Sequence, residues 1–169
     1  MSTFSAIYIQ SDNEPVGELF QRLAADLKKQ GYFFTLRYHQ ALRWVQIWVE
    51  EFENVVYYTK TLSSLWPEQQ IVGLAAQTVV DALGYWQYCG GEPQRILVSG
   101  MREERTWEEV SGTEQSWEQK IFQGQTPTPG QTEPGFSHWE MHKIGQTLQL
   151  PGFGLPEGEA VWTAEIVTG

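Results

Sequence analysis

Two histidines four residues apart have a spacing that is typical of metal ligands. His138 and His142 (HWEMH) fall on a predicted helix, so both rings could project from one helix face. Glu140, or a carboxylate elsewhere in the chain, could complete a metal site with them. The zinc-protease motif has Glu directly after the first His, whereas this sequence has Trp139 there. The pattern leaves two interpretations open: an enzyme that uses these histidines, or two solvated histidines without chemistry.

The densest run of charge in the sequence combines glutamates with tryptophans. Two carboxylates in a cleft could hydrolyse a glycosidic bond, but their separation is not readable from sequence. A solvated face held by Arg–Glu pairs is the simplest alternative. Exposed aromatic anchors with a charged rim are typical of protein interfaces. We therefore interpret six residues as a candidate partner-binding surface: Trp107, Trp117, Glu104, Glu108, Glu109 and Glu114.

Two other patterns do not predict a site. Cys89 lies at the end of a predicted helix with no histidine placed beside it, so we expect an inert thiol. Gly152, Gly154 and Gly158 resemble a phosphate-binding loop, but they precede a predicted strand and Pro156 interrupts them. We therefore expect neither a cysteine nucleophile nor a nucleotide site, and no cofactor.

Charge and composition narrow the classes of partner. The 169 residues carry 11 basic and 21 acidic side chains, a formal net charge of −10, and a single cysteine. Such acidity disfavours nucleic acid and favours a basic protein partner, or serves solubility alone. The sequence has no apolar run of membrane length and no export signal, so we expect a cytoplasmic protein. The composition is rich in Gln and Trp and poor in Lys, which leads us to expect a bacterial protein.

Hydrophobic periodicity predicts the elements that must position these residues. Predicted strands cover residues 3–10, 32–39, 43–50, 54–62, 94–101 and 159–167, and predicted helices cover 16–27, 67–88, 114–122 and 137–148. The short gaps between strands favour antiparallel neighbours. The prediction is an α+β fold with a mainly antiparallel sheet of about five or six strands and two principal helices. Residues 1–123 form its core domain, and 124–169 form a loop-rich extension docked on it.

These features together favour binding over catalysis. We interpret the chain as a non-catalytic, acidic protein-binding module, of which an inhibitor that neutralises a basic partner is a special case. The alternative is an enzyme or small-ligand-binding protein that uses His138, His142 and nearby glutamates. A ligand pocket lined by Trp44, Trp48 and Tyr57 is a further alternative.

Overall fold

A computed structural model describes residues 3–77, 82–100, 106–132, 138–153 and 162–169. Within these ranges the chain forms eight strands and four helices. In chain order they are β1 (Thr3–Gln10), α1 (Val16–Lys29), β2 (Thr35–Tyr38), β3 (Trp44–Trp48), α2 (Phe52–Leu65), β4 (Ile71–Gln77), β5 (Ala82–Cys89), β6 (Glu92–Ser99), β7 (Trp107–Gly112), α3 (Glu118–Ile121), α4 (His138–Leu148) and β8 (Ala164–Val167). The predicted α+β class is confirmed, with eight strands in the described ranges where about five or six were expected.

All eight strands belong to one sheet in the order β7-β6-β5-β4-β1-β3-β2-β8, and every neighbouring pair is antiparallel. Helix α2 connects β3 to β4. It crosses over β1, which lies between these two strands in the sheet. Strands β7 and β8 are therefore the two edges. β8, from the C-terminal part of the chain, pairs directly with β2.

The sheet has a hydrophobic cluster on each face. Helices α1 and α2 cover the first face, where they pack on the aliphatic side of the central strands. Helices α3 and α4 cover part of the second face, where seven of the seventeen buried side chains described are aromatic. The alternation predicted for β3 is found: Val45 and Ile47 join the first cluster, and Trp44 joins the second. None of the described helices has the length and apolar character needed to cross a membrane.

The helix predicted over residues 67–88 is wrong, because this region forms the antiparallel strands β4 and β5. Six of the seven residues of β4 are buried, and β5 is almost as fully enclosed. A strand that is covered on both faces has apolar side chains on both, so the alternation that identifies a strand disappears. A continuous run of apolar residues is therefore compatible with a buried helix as well as with a buried strand, and sequence periodicity does not distinguish the two. Residues 78–81 lie outside the described part of the chain.

The strand predicted over residues 54–62 is also wrong, because these residues lie inside helix α2. Their β-branched and aromatic composition favours a strand by propensity. Val55, Thr59 and Leu62 nevertheless form one buried face at the spacing of a helix. Packing of this face on the sheet outweighs the local preference, since propensity differences amount to only about 1 kcal/mol.

Close contact between α2 and the sheet depends on Gly73 in β4. A Cβ atom at this position would overlap Thr59 Oγ1 and would lie 2.9 Å from Val55 Cγ1. The Thr59 hydroxyl is held in place because it donates to the Val55 carbonyl oxygen at 2.6 Å. We expect Gly73→Ala to lower the free energy of unfolding by about 1–3 kcal/mol, measured by urea denaturation. Thr59→Ala should recover part of this loss, and an unchanged midpoint for Gly73→Ala alone would contradict the packing.

Candidate functional site

The two tryptophans of the predicted partner-binding surface lie inside the protein. Trp107 is 2% exposed and Trp117 is 6% exposed. The Trp107 ring packs edge-on against Phe122 at 5.3 Å, and the Trp117 ring packs against Tyr85 at 5.1 Å. The exposure expected of these two indoles is therefore wrong, and in this structure they pack in the core.

A buried ion pair between Arg95 and Glu118 connects helix α3 to the sheet. Arg95 Nε and Nη2 donate to the two Glu118 carboxylate oxygens at 2.7 and 2.6 Å, and both side chains are enclosed. Arg95 Nη1 also donates to the Gly112 carbonyl oxygen at 3.0 Å. Burial, and secondarily the Glu118 carboxylate, raises the pKa of the Tyr85 phenol. The pair ties α3 to strands β6 and β7 and encloses Trp117, the residue before α3.

The predicted carboxylates near these tryptophans have different surroundings. Glu109 and Glu114 are exposed, and Glu108 is partly buried. The Glu114 carboxylate accepts a hydrogen bond from the Gln119 side-chain amide. Glu104 lies outside the described residues. A partner contact through these glutamates stays a prediction.

The two histidines both belong to α4, as the sequence predicts. The His142 side chain is exposed, and its ring lies edge-on against Phe153 at 5.5 Å. The side chain of His138 is outside the described part of the structure. Among the described residues there is no group of three or more His, Cys, Asp or Glu side chains that could hold a metal ion. The metal site at His138 and His142 therefore stays a prediction.

A different surface stands out by its exposed apolar side chains. In the described part of the chain, the exposed large hydrophobic residues are Phe33 at 75%, Tyr57 at 62% and Val167 at 55%. Phe33 borders a groove of about 240 Å³ at the end of the sheet where β2 begins and β3 ends. We call it the aromatic groove, and its walls are Phe33, Phe34, Thr35, Trp48, Val49, Glu50, Asn54 and Tyr58.

Strand alternation shows which face of the sheet borders this groove. Phe34 belongs to the first hydrophobic cluster, so Thr35, the next residue and the first of β2, faces the opposite side of the sheet. Thr35 pairs with Trp48 of β3 and with Val167 of β8, which brings these side chains next to one another. Helices α3 and α4 pack at the other strands of this face, so among the described elements no helix covers the patch around Thr35.

Two sets of contacts hold the groove in shape. The Phe34 amide donates to Thr168 Oγ1 at 2.9 Å, and that hydroxyl donates to the Tyr32 carbonyl oxygen at 2.8 Å. The Tyr58 ring packs edge-on against Phe34 at 4.9 Å and lies 5.1 Å from the ring of Tyr57. The exposed Tyr57 is therefore continuous with the groove wall through Tyr58. Rigid aromatic walls reduce the entropy lost on binding.

The rim of the groove is acidic. Glu50, Glu51 and Glu53 follow β3 and are exposed. Asn54 Nδ2 donates to the Glu51 carboxylate at 2.9 Å. Within the described ranges, none of the three carboxylates pairs with a lysine or arginine. Glu165, beside Val167, is by contrast neutralised by Arg37 at 2.6 Å. The rim thus presents negative charge that a cationic group could approach.

The three residues of the predicted ligand pocket, Trp44, Trp48 and Tyr57, have different surroundings. Trp44 is buried, and its Nε1 donates to the Leu148 carbonyl oxygen at 2.9 Å, so it holds α4 rather than lining a ligand pocket. Trp48 does line the groove, and Tyr57 reaches it through Tyr58. The groove could not be predicted while residues 54–62 were assigned to a strand, because it is helix α2 that brings Tyr58 next to Phe34. Comparison of the chain with protein-family models, with curated proteins and with solved structures finds no match.

Proposed function

We propose that this chain is a non-catalytic protein-binding module, and that its contact surface is the aromatic groove. Its partner is a basic protein that inserts an arginine side chain into the groove. The observation that carries the proposal is the exposure of Phe33 and Tyr57 beside a preformed groove with an acidic rim. Large exposed aromatic side chains at a groove are typical of interaction sites.

The chemistry of the groove favours arginine. A guanidinium group stacks on aromatic faces, here those of Phe33 and Tyr58, more readily than an ammonium group does. The Glu50 carboxylate lies in the wall and can accept hydrogen bonds from the guanidinium fork. The volume of about 240 Å³ suits one long side chain rather than a metabolite with several rings.

The net charge of the whole chain supports the same partner. A formal charge of −10 attracts a basic protein over distances comparable with the Debye length and raises its association rate. An inhibitor of a basic protein would use such charge steering. We therefore expect the complex to weaken as salt rises, with the aromatic contacts setting its lifetime.

The test compares two surfaces of the same protein. A partner captured from an extract is first identified by mass and purified, and its affinity is then measured for the parent chain and two double variants. Phe33→Ser/Tyr57→Ser should weaken binding roughly 1,000-fold, because aromatic anchors contribute about 2 kcal/mol each. Glu109→Gln/Glu114→Gln should bind within about threefold of the parent, since these exposed carboxylates lie at the other edge of the sheet.

The two double variants distinguish the aromatic groove from the glutamate surface predicted from sequence. If the glutamine variant loses the partner and the serine variant keeps it, the glutamate surface predicted from sequence is the contact and the groove is not. A defined probe gives an independent reading: N-acetylarginine amide should shift the backbone amide signals of Thr35, Val49 and Glu50, and its citrulline analogue should not. Equal shifts from both compounds would contradict recognition of a cation.

A further inference from the structure

A second cleft has the opposite charge to the rest of the protein. It lies between α3 and α4 and has a volume of about 360 Å³. Its lining residues are Lys120, Ile121, Lys143, Gln146 and Thr147. Lys143, Gln146 and Thr147 stand at helix positions i, i+3 and i+4, so α4 presents all three from one face.

Both walls of this cleft are fixed to the sheet. The buried Arg95–Glu118 pair holds α3, and Lys120, two residues further along, is exposed. On α4, Ile144 is fully buried, and the last turn accepts the hydrogen bond from Trp44 at the Leu148 carbonyl oxygen. The lysines are therefore carried by elements whose separation is set by core packing rather than by each other.

The charges around the cleft are unbalanced. The last 70 residues contain four basic and eleven acidic side chains, yet their only two lysines line this one cleft, and no carboxylate of the described residues does. Neither lysine forms an ion pair with an acidic side chain in the part of the chain that the structure describes. Two ammonium groups on facing walls repel one another, and an anion placed between them removes that repulsion.

We propose that this cleft binds the phosphate group of a small phosphate monoester. The two ammonium groups supply the charge, and the Thr147 hydroxyl and the Gln146 side-chain amide can donate hydrogen bonds to phosphate oxygens. The volume leaves room for a short organic group beside Ile121. The net charge of −10 repels a polyanion, so a small phosphorylated molecule is favoured over nucleic acid.

The probe for the test is inorganic phosphate, added at constant pH and constant ionic strength to the labelled full chain. We expect saturable shifts of the backbone amide signals of Lys120, Ile121 and Thr147, with a dissociation constant on the order of 1 mM. Lys120→Gln/Lys143→Gln should weaken binding at least about tenfold. Its matched control is Lys28→Gln/Lys29→Gln, which removes the same charge from the exposed end of α1 and should change the affinity less than about twofold.

Three results would overturn the proposal. The first is the absence of saturable shifts up to about 50 mM phosphate, a concentration well above the expected dissociation constant. The second is equal weakening by the two lysine double variants, which would show a general charge effect. The third is tighter binding of a single-stranded oligonucleotide than of glycerol phosphate. All three are independent of whether the aromatic groove binds a protein.

Discussion

Replacing Glu118 with alanine is expected to lower the free energy of unfolding by about 3–5 kcal/mol, because the variant leaves the Arg95 guanidinium buried without its counter-charge. Both side chains of this pair are almost completely enclosed, at 5% and 0% exposure. The same carboxylate also accepts a hydrogen bond from the Gln115 amide at 3.0 Å, which sets the start of α3. Urea denaturation followed by tryptophan fluorescence measures the change directly.

The matched control for this prediction is the exposed pair between Arg22 and Glu14. Their side chains are 44% and 27% exposed. Glu14→Ala should therefore change the free energy of unfolding by less than about 1 kcal/mol. A second variant, Arg95→Met/Glu118→Leu, removes both charges and should be more stable than Glu118→Ala alone. Equal stability of the parent and Glu118→Ala would show that this pair does not hold α3.

Truncation of either buried tryptophan is the second large expected effect. Trp107→Ala and Trp117→Ala should each lower the free energy of unfolding by about 3–5 kcal/mol, because each removes a large ring from the aromatic cluster under α3. If these indoles were instead exposed anchors of a partner, the same substitutions would leave the thermal midpoint nearly unchanged. Thermal denaturation of the two variants therefore decides between a core role and an interface role.

Trp48→Ala is the comparison for these two substitutions. Trp48 is partly exposed and packs edge-on against Phe4 at 5.8 Å. Its truncation should cost less stability than that of Trp107 or Trp117, since less of its surface is withdrawn from water. It should instead weaken partner binding, because Trp48 lines the aromatic groove. The opposite ranking of the three variants would contradict both the burial and the position of the groove.

The elements that sequence predicted correctly are those whose signals are local. Strand β1 begins and ends at the predicted residues 3 and 10. Helix α1 buries Leu19, Leu23 and Leu27 on the face that the spacing predicted. Each of these elements has its own recognisable start, end or apolar stripe, and none depends on a distant neighbour for its type. The α+β class and the antiparallel arrangement followed from them.

The sequence by itself therefore determined the acidity of this protein and the elements whose start, end or apolar stripe is local. Tertiary structure decided which segments are covered on both faces and which aromatic side chains reach water. Trp107 and Phe33 are both large and aromatic, yet Trp107 is buried against Phe122 at the end of α3, whereas Phe33 lies before β2 and is 75% exposed. Burial depends on contacts between residues that are far apart in the chain, and no local pattern contains that information.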